Sequence, residues 1–271
     1  MSLKLNARER EFINSPGEHL NSRAVYGMKS AMSSFRIATY NIHKCRGLDR
    51  RVHPMRIAAV LKQIQPDIVA LQEVVGLDEP EREYNQVHAI AEELGYDFRI
   101  GENRRLRGAA YGNALLSRFP IVEEQNHDLT WRKNEPRGCL EVRIAPREDT
   151  LLRIYNVHLG TAFLERRYQA RRLCDVINGE SDLQARRIVL GDFNEWTRGL
   201  ATQMLSYHLN CAEPEQRFGR ARTYPGVLPL VHLDHIYHDP ALQLKNIMVH
   251  RSRLALVASD HLPIVADFTL E

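Results

Sequence analysis

Arg187-Ile188-Val189-Leu190-Gly191-Asp192-Phe193-Asn194 is the stretch on which the fold of this chain turns. Ile188 to Leu190 form a short apolar run, the pattern of a buried strand. The run stops at a glycine, and Asp192 and Asn194 follow two residues apart. On an extended chain both side chains point to the same side. The strand then carries a carboxylate and an amide to the end of a sheet, where open α/β folds bind ligands. Such a pair suits a water, a hard cation or a phosphoryl oxygen. By itself it fits an Asx-turn equally well, since that turn needs only Asp or Asn beside a glycine.

Other stretches have the same build. Ile37-Ala38-Thr39-Tyr40-Asn41 ends in an amide, and Ile68-Val69-Ala70-Leu71-Gln72-Glu73 ends in a carboxylate. Leu152-Arg153-Ile154-Tyr155-Asn156-Val157-His158 ends in an amide and an imidazole. Ser259-Asp260-His261-Leu262-Pro263-Ile264 sets a carboxylate and an imidazole just ahead of an apolar strand. One such tip is chance; their recurrence reads as a single site assembled from many strand ends.

The 271 residues allow one large domain or two small ones. An apolar content of 44% and a charged content of 26% are ordinary for a globular protein. The formal charge of +3 is compatible with an anionic substrate, but a dedicated nucleic-acid surface would show a stronger basic stripe. The cysteines, Cys45, Cys139, Cys174 and Cys211, form no CxxC pair, so a zinc ribbon and a redox motif are excluded and buried reduced thiols are expected. No stretch has the apolar length of a membrane span, and Met1 to Arg10 lack the apolar core of a signal peptide. These features predict a cytoplasmic protein.

Residues 1–34 are polar, mixed in charge and without a long periodic segment, and read as an extension ahead of a single domain at 35–271. Partial disorder, a wrap around the domain and contact with a partner fit that composition equally. From Phe35 onward strands and helices interleave. Helices are expected at Pro54–Ile64, with Pro54 in its first turn, and at 84–94, closed by Gly95. A longer one is expected at 164–178, where Ala170, Leu173, Cys174 and Ile177 share a face opposite solvated Arg167 and Arg171. Another reaches Leu209 behind a cap at Thr197. Further strands are expected at 96–100, 111–116, 139–144, 233–237, 242–249 and 262–270. A long loop through Trp131 and Pro136-Arg137-Gly138 joins two of them. Arg99, Arg104, Arg105 and Arg107 crowd one loop, as a solvated segment or as an electrostatic collar for phosphate, and Arg217, Arg220 and Arg222 sit in another. The alternation places the chain in the α/β class, and strands that follow one another without a helix argue for mixed or antiparallel sheets.

Taken together, the motifs resemble a known superfamily. Asn41, Gln72-Glu73, Asn156-x-His158, Gly191-Asp192-Phe193-Asn194, Asp234-His235-Ile236 and Ser259-Asp260-His261-Leu262-Pro263 stand in the order found in the endonuclease/exonuclease/phosphatase superfamily, with its DNase I-like fold. The resemblance covers Phe35 to Leu270. It implies a four-layer α/β sandwich, two sheets flanked by helices with the site at the sheet ends. It also implies a phosphoesterase that uses Mg²⁺, or alternatively Mn²⁺. Glu73 is then the main metal ligand, Asn41 its neutral partner, and Asp260 a ligand directly or through water. Asp192 and Asn194 would orient the attacking water and the phosphoryl group. His261 would neutralise charge on the phosphoryl oxygens, with Asp234 fixing its tautomer. His235 is expected to be structural, because adjacent strand residues face opposite ways. His43 reads as a satisfied loop histidine.

Gln72-Glu73-Val74, Leu233-Asp234-His235-Ile236 and His158 look more like the DNase I and sphingomyelinase branches than the abasic-site endonuclease branch, and His158 would there assist the leaving oxygen near its unperturbed pKa of ~6.5. The implied activity is in-line attack of water on a phosphodiester, in nucleic acid, a phospholipid head group or a small phosphoester. A catalytically inactive binding module of the same fold is the alternative from another class. A calcineurin-like metallophosphatase is a further one, although its Gly-Asn-His signature is absent.

Overall fold

The structure, a computed structural model, describes residues 34–76, 85–147, 150–179, 186–196, 199–214, 222–226, 228 and 230–270. The extension ahead of Ser34, the cap at Thr197, and Arg217 and Arg220 lie outside the described residues. In chain order the elements are β1 (Ser34–Asn41), α1 (Pro54–Ile64), β2 (Ile68–Gly76), α2 (Gln86–Leu94), β3 (Asp97–Leu106) and β4 (Ala109–Ser117). There follow β5 (Ile121–Asp128), β6 (Gly138–Arg147), β7 (Thr150–His158), α3 (Phe163–Asn178), β8 (Arg186–Asp192), α4 (Leu200–Leu205) and β9 (Asn210–Ala212). The last are β10 (Asp234–His238), β11 (Gln243–Val249), α5 (Arg253–Ala258) and β12 (Ile264–Thr269).

Two six-stranded sheets run β11-β12-β1-β2-β4-β3 and β5-β6-β7-β8-β10-β9. In each, one central pair is parallel, β1 with β2 and β7 with β8, and the other pairs are antiparallel. A helix crosses over between the partners of each parallel pair, as parallel neighbours require. Laid side by side, the two strand orders match position for position, which is the two-fold relation between the halves. Asn41 and His158 therefore end equivalent strands, and so do the stretches carrying Glu73 and Asp192.

Each sheet buries one face against helices. Ile57, Val60, Leu61 and Ile64 of α1, Val87 and Ile90 of α2, and Ala255 and Ala258 of α5 pack on Ala38, Tyr40, Val69 and Leu71 of the first sheet. Ala170, Leu173, Cys174 and Ile177 of α3, with Ala201 and Leu205 of α4, pack on Tyr155, Val157 and Val189 of the second. Alternate residues of the same strands turn to the other sheet. Asn156 shows this directly: its amide nitrogen donates to Leu71 O at 2.9 Å and to Ala114 O at 2.8 Å, across from its own sheet. The order helices, sheet, sheet, helices is the four-layer sandwich that the motifs implied.

The end signals of the first two helices are found where the sequence puts them. Pro54 opens α1, Asn85 caps α2 by accepting from His88 N, and Gly95 closes it in the left-handed region. The misses have two causes. β3 and β5 are sheet edges whose outer faces meet water, so they lack the apolar alternation that marks a half-buried strand. β5 lies inside the expected long loop, and Arg99, Arg104 and Arg105 lie in β3, not in a loop. The short helices α4 and α5 are six residues each, too few for a periodicity to register, and α4 stops before Leu209.

Candidate active site

The strand ends converge on a cleft of about 520 Å³ that is lined by Glu73, His158, Asp192, Asn194, Asp260 and His261 among others. The two sheets are joined there by side chains. Asn41 Nδ2, at the end of β1, donates to Asp192 Oδ2 at the end of β8, at 3.0 Å, and lies 3.4 Å from Glu73 Oε1. Asp234, in β10, accepts from His261 Nδ1 at 2.9 Å, and His261 comes from the loop ahead of β12. Asp192, Asp234 and His261 are all buried.

Local backbone geometry aims these groups. Glu73 has φ +56°, a conformation costly for a residue with a β-carbon, and it sits where the pairing of β2 with β4 shifts register between Leu71 and Val74. The bulge frees Glu73 from the strict alternation, so Gln72 points between the sheets to Asn156 Oδ1 at 2.8 Å while Glu73 enters the cleft. Gly191 has φ +143°, and a β-carbon there would stand 2.0 Å from Val157 O, so only glycine lets β8 lie this close to β7. Asn194 is not extended, as the spacing had suggested, but has φ +51°. Its backbone N–H donates to Asp192 Oδ1 at 2.9 Å and its amide donates to Leu159 O at 2.8 Å. Asn194 thus borders the cleft and holds Asp192, with its own amide nitrogen engaged.

The electrostatics divide the site. Burial alone would raise the Glu73 carboxyl, but the groups about it, His158 first and then the Lys44 ammonium that pairs with it, hold it below the usual carboxylate range. Burial pushes Asp192 up to about 6 against the pull of His261. Burial would neutralise His261, but Asp234 and Asp192 outweigh it and raise it to about 10, so the ring is an imidazolium. Its Nε2 lies 3.6 Å from Asp192 Oδ2. Asp234 Oδ2 also accepts from Thr223 Oγ at 2.5 Å, while its Oδ1 is buried without a partner.

His158 departs from expectation. Burial and the adjacent Arg137 guanidinium push it well below the usual imidazole range. Arg137 Nη1 is 3.2 Å from His158 Nδ1, and because arginine only donates, Nδ1 accepts. The neutral ring therefore carries its proton on Nε2, which faces Asp192 Oδ2 at 3.6 Å. His158 is a fixed donor into the cleft, not an imidazole titrating near its free value.

The remaining assignments fall into place around this core. His43 Nδ1 lies 3.5 Å from Asp260 Oδ1. His235 is buried against Phe193, away from the cleft. Arg104, one of the arginines read as a possible collar for phosphate, lines the cleft, and so do Arg137, Lys44, Tyr111 and Tyr224, which were not singled out for it. The pairing of Arg137 with a glycine at a strand start was the one signal available. A β-carbon at Gly138 would stand 2.2 Å from Asn103 Oδ1, so that side chain would have to move aside.

Two groupings are candidates for a metal. Ligand atoms of Asp192, Asp234 and His261 lie within 4.8 Å of one another. The Asp234–His261 hydrogen bond occupies that pair, however, and an imidazolium has no lone pair to give. Glu73 fits better: it is a hard oxygen donor at the cleft whose charge is met by an ammonium, as it would be by a cation. Asn41 turns its nitrogen toward Glu73, and rotating the amide would present Oδ1 instead.

Comparison with known proteins agrees with this geometry. A family model described as Endonuclease/Exonuclease/phosphatase family matches residues 38–261. The chain belongs to that family. It is 32% identical over 251 residues to the Escherichia coli K12 protein described as Uncharacterized protein YbhP, covering 88% of this chain and 97% of YbhP. The mannosyl-6-phosphatase Bt3783 of Bacteroides thetaiotaomicron shares the fold at a TM-score of 0.70 and 21% identity, over 87% of this chain and 100% of that one. D. rerio TDP2, in complex with single strand DNA product, shares it at 0.68 and 19% identity, over 88% and 100%. Among the described residues no helix is long and apolar enough to cross a membrane.

Proposed function

We propose that this member of the family is a divalent-metal-dependent phosphodiesterase that hydrolyses its substrate by in-line attack of water. The observation that carries the reading is the buried Asp192 carboxylate, set between the His261 imidazolium and the His158 donor on the floor of an open cleft. A carboxyl with a pKa of about 6 suits a base that works near neutrality. Asp192 accepts the proton of the attacking water or holds that water. His261 directs Nε2–H at the phosphoryl oxygens, where negative charge grows, and Asp234 keeps it charged and oriented. His158 offers Nε2–H to the leaving oxygen. Glu73, with Asn41 and Asp260, would hold Mg²⁺, or Mn²⁺ in its place, which when bound neutralises phosphoryl charge. That one neighbour is a mannosyl-6-phosphatase and another is a complex with single strand DNA product supports a phosphoester substrate, and the candidates are nucleic acid, a phospholipid head group or a small phosphoester.

The reading is tested by offering purified protein with Mg²⁺ bis(4-nitrophenyl) phosphate, plasmid DNA, abasic duplex and phospholipid dispersions. Turnover of at least one, abolished by EDTA, is expected, and turnover that persists in EDTA would refute the metal requirement.

His158 separates the family branches. A neutral donor stabilises a charged leaving oxygen by ~1.5–3 kcal/mol, or ~10–100-fold in rate. His158→Ala is therefore expected to slow an alkyl diester by about that factor and a nitrophenyl diester several-fold less, since nitrophenolate departs unaided. Equal losses on the two substrates would assign His158 to positioning and reopen the abasic-site reading.

A further inference from the structure

One corner of the cleft does work that the proposed reaction leaves unused. Arg104 and Arg137 both line it, and both reach the same carboxylate. Arg104 Nη2 lies 2.8 Å from Glu135 Oε1 and Arg137 Nη2 lies 3.0 Å from Glu135 Oε2. The Nε atom of each guanidinium is buried and without a hydrogen-bond partner. Arg137 is itself only 8% exposed. Arg104 lies over the Tyr111 ring, 4.6 Å from its centre, which sets the plane of its guanidinium.

The pattern of used and unused donors is informative. A guanidinium grips an oxyanion best side-on, with two parallel N–H groups. Here Glu135 divides its two oxygens, one to each arginine, so each grip is half made. Two positive groups share a single carboxylate, and the idle Nε–H donors are ones that burial makes costly to leave unmet. The other cations of the cleft are committed elsewhere: Lys44 pairs with Glu73, and Arg166 donates to Gly160 O and Thr161 O. Glu135 lies in the loop between β5 and β6 with 41% of its side chain exposed, so it can swing to solvent.

We propose that Arg104 and Arg137 form an anion subsite, now held by Glu135, that receives a second phosphoryl group of the substrate. A tetrahedral group with three free oxygens can fill both prongs of both forks, which a planar carboxylate shared between them does not. The Arg137–His158 contact puts this subsite one side chain from the reacting centre. The inference rests on the phosphodiesterase reading and narrows it: the substrate is a phosphoester that carries a further phosphate beside the scissile one.

The subsite is tested without catalysis. The full-length protein in EDTA is titrated calorimetrically with inorganic phosphate, so that no signal arises from metal at Glu73. Glu135→Gln removes the competing carboxylate and is expected to tighten phosphate about tenfold, the scale of one charge-assisted hydrogen bond. Arg104→Ala, on an edge strand, is expected to weaken it about tenfold or more. Glu124→Gln, which removes a carboxylate from Arg99 instead, controls for net charge and leaves binding unchanged. Phosphate binding that ignores both Glu135→Gln and Arg104→Ala, or no binding by any of the proteins, overturns the subsite. Hydrolysis of bis(4-nitrophenyl) phosphate, followed in parallel with Mg²⁺, reports on the catalytic reading alone. Phosphate binding that follows Glu135 and Arg104 in a protein that hydrolyses nothing upholds the subsite and fells that reading.

Discussion

Glu73→Gln is expected to lower Mg²⁺-dependent diester hydrolysis by ~10³-fold or more while the protein stays folded. The exchange keeps the shape of the side chain and removes its charge. In the cleft that charge is held below the usual carboxylate range, despite burial that opposes it. A hard cation takes its affinity from just such an oxygen, and losing its stabilisation of the phosphoryl oxygens costs several kcal/mol, at ~1.4 kcal/mol per factor of ten. The fold has less to lose. The carboxylate pairs with Lys44, whose side chain is 34% exposed, so the ammonium left behind by Gln can be met by water. Kinetics over a Mg²⁺ series, with thermal unfolding of both proteins, make the comparison. An active Glu73→Gln protein would end the claim that Glu73 holds the metal, and one that unfolds would leave calorimetric Mn²⁺ binding by a Glu73→Asp protein to decide the matter.

Much of this site could be read in the chain because its candidates sit at or beside the tips of buried strands. A run such as Ile188 to Leu190 must be covered on both faces, so its position in the middle of a sheet follows from its composition. A polar group just past its end must then lie at the sheet's rim. The reasoning located Asn41, Glu73, His158 and Asp192 together without any knowledge of which strands pair. It could not see where Asn156 goes. That residue has the same spacing from His158 as Asn194 has from Asp192, yet its amide crosses between the sheets to two backbone carbonyls. Choosing between rim and interior needs the partner sheet, which is remote in sequence.

The same limit explains the cations. Arg104 and Arg137 are separated by 33 positions, and although the arginine cluster around Arg104 suggested a collar for phosphate, nothing in the sequence pairs it with Arg137. They meet because β3 and β6 come from different sheets and their ends close on one loop, a contact that only the assembled sandwich makes. His158 was legible as a site residue but its protonation was not, since that depends on Arg137. Glu73's left-handed backbone is a third case: no residue type in the stretch favours φ > 0, and the bulge is imposed by the pairing with β4.

Asp234→Ala and His261→Ala are each expected to reduce kcat/KM by ~10²–10⁴-fold, and the double variant by no more than the worse of the two. The geometry requires this. His261 Nδ1–H is bound by Asp234 at 2.9 Å, which leaves Nε2 as the proton facing the reacting side, and the second carboxylate, Asp192, lies 3.6 Å beyond it. Removing Asp234 takes away the group that orients the ring and most favours its charge, so the imidazole that remains is mis-set for its task. Removing His261 leaves Asp234 with Thr223 alone and no ring to orient. Once either is gone the other has nothing left to contribute, so their effects overlap. Asp234→Asn keeps the volume and tests whether charge or shape matters: an amide can accept the same hydrogen bond but no longer favours the imidazolium, so its loss is expected to approach that of Asp234→Ala. Steady-state kinetics of the four proteins on one diester, each checked for folding by thermal unfolding, complete the cycle. Strict additivity of the single losses would mean that Asp234 and His261 act separately, and the assignment of Asp234 as the group that sets His261 would fall.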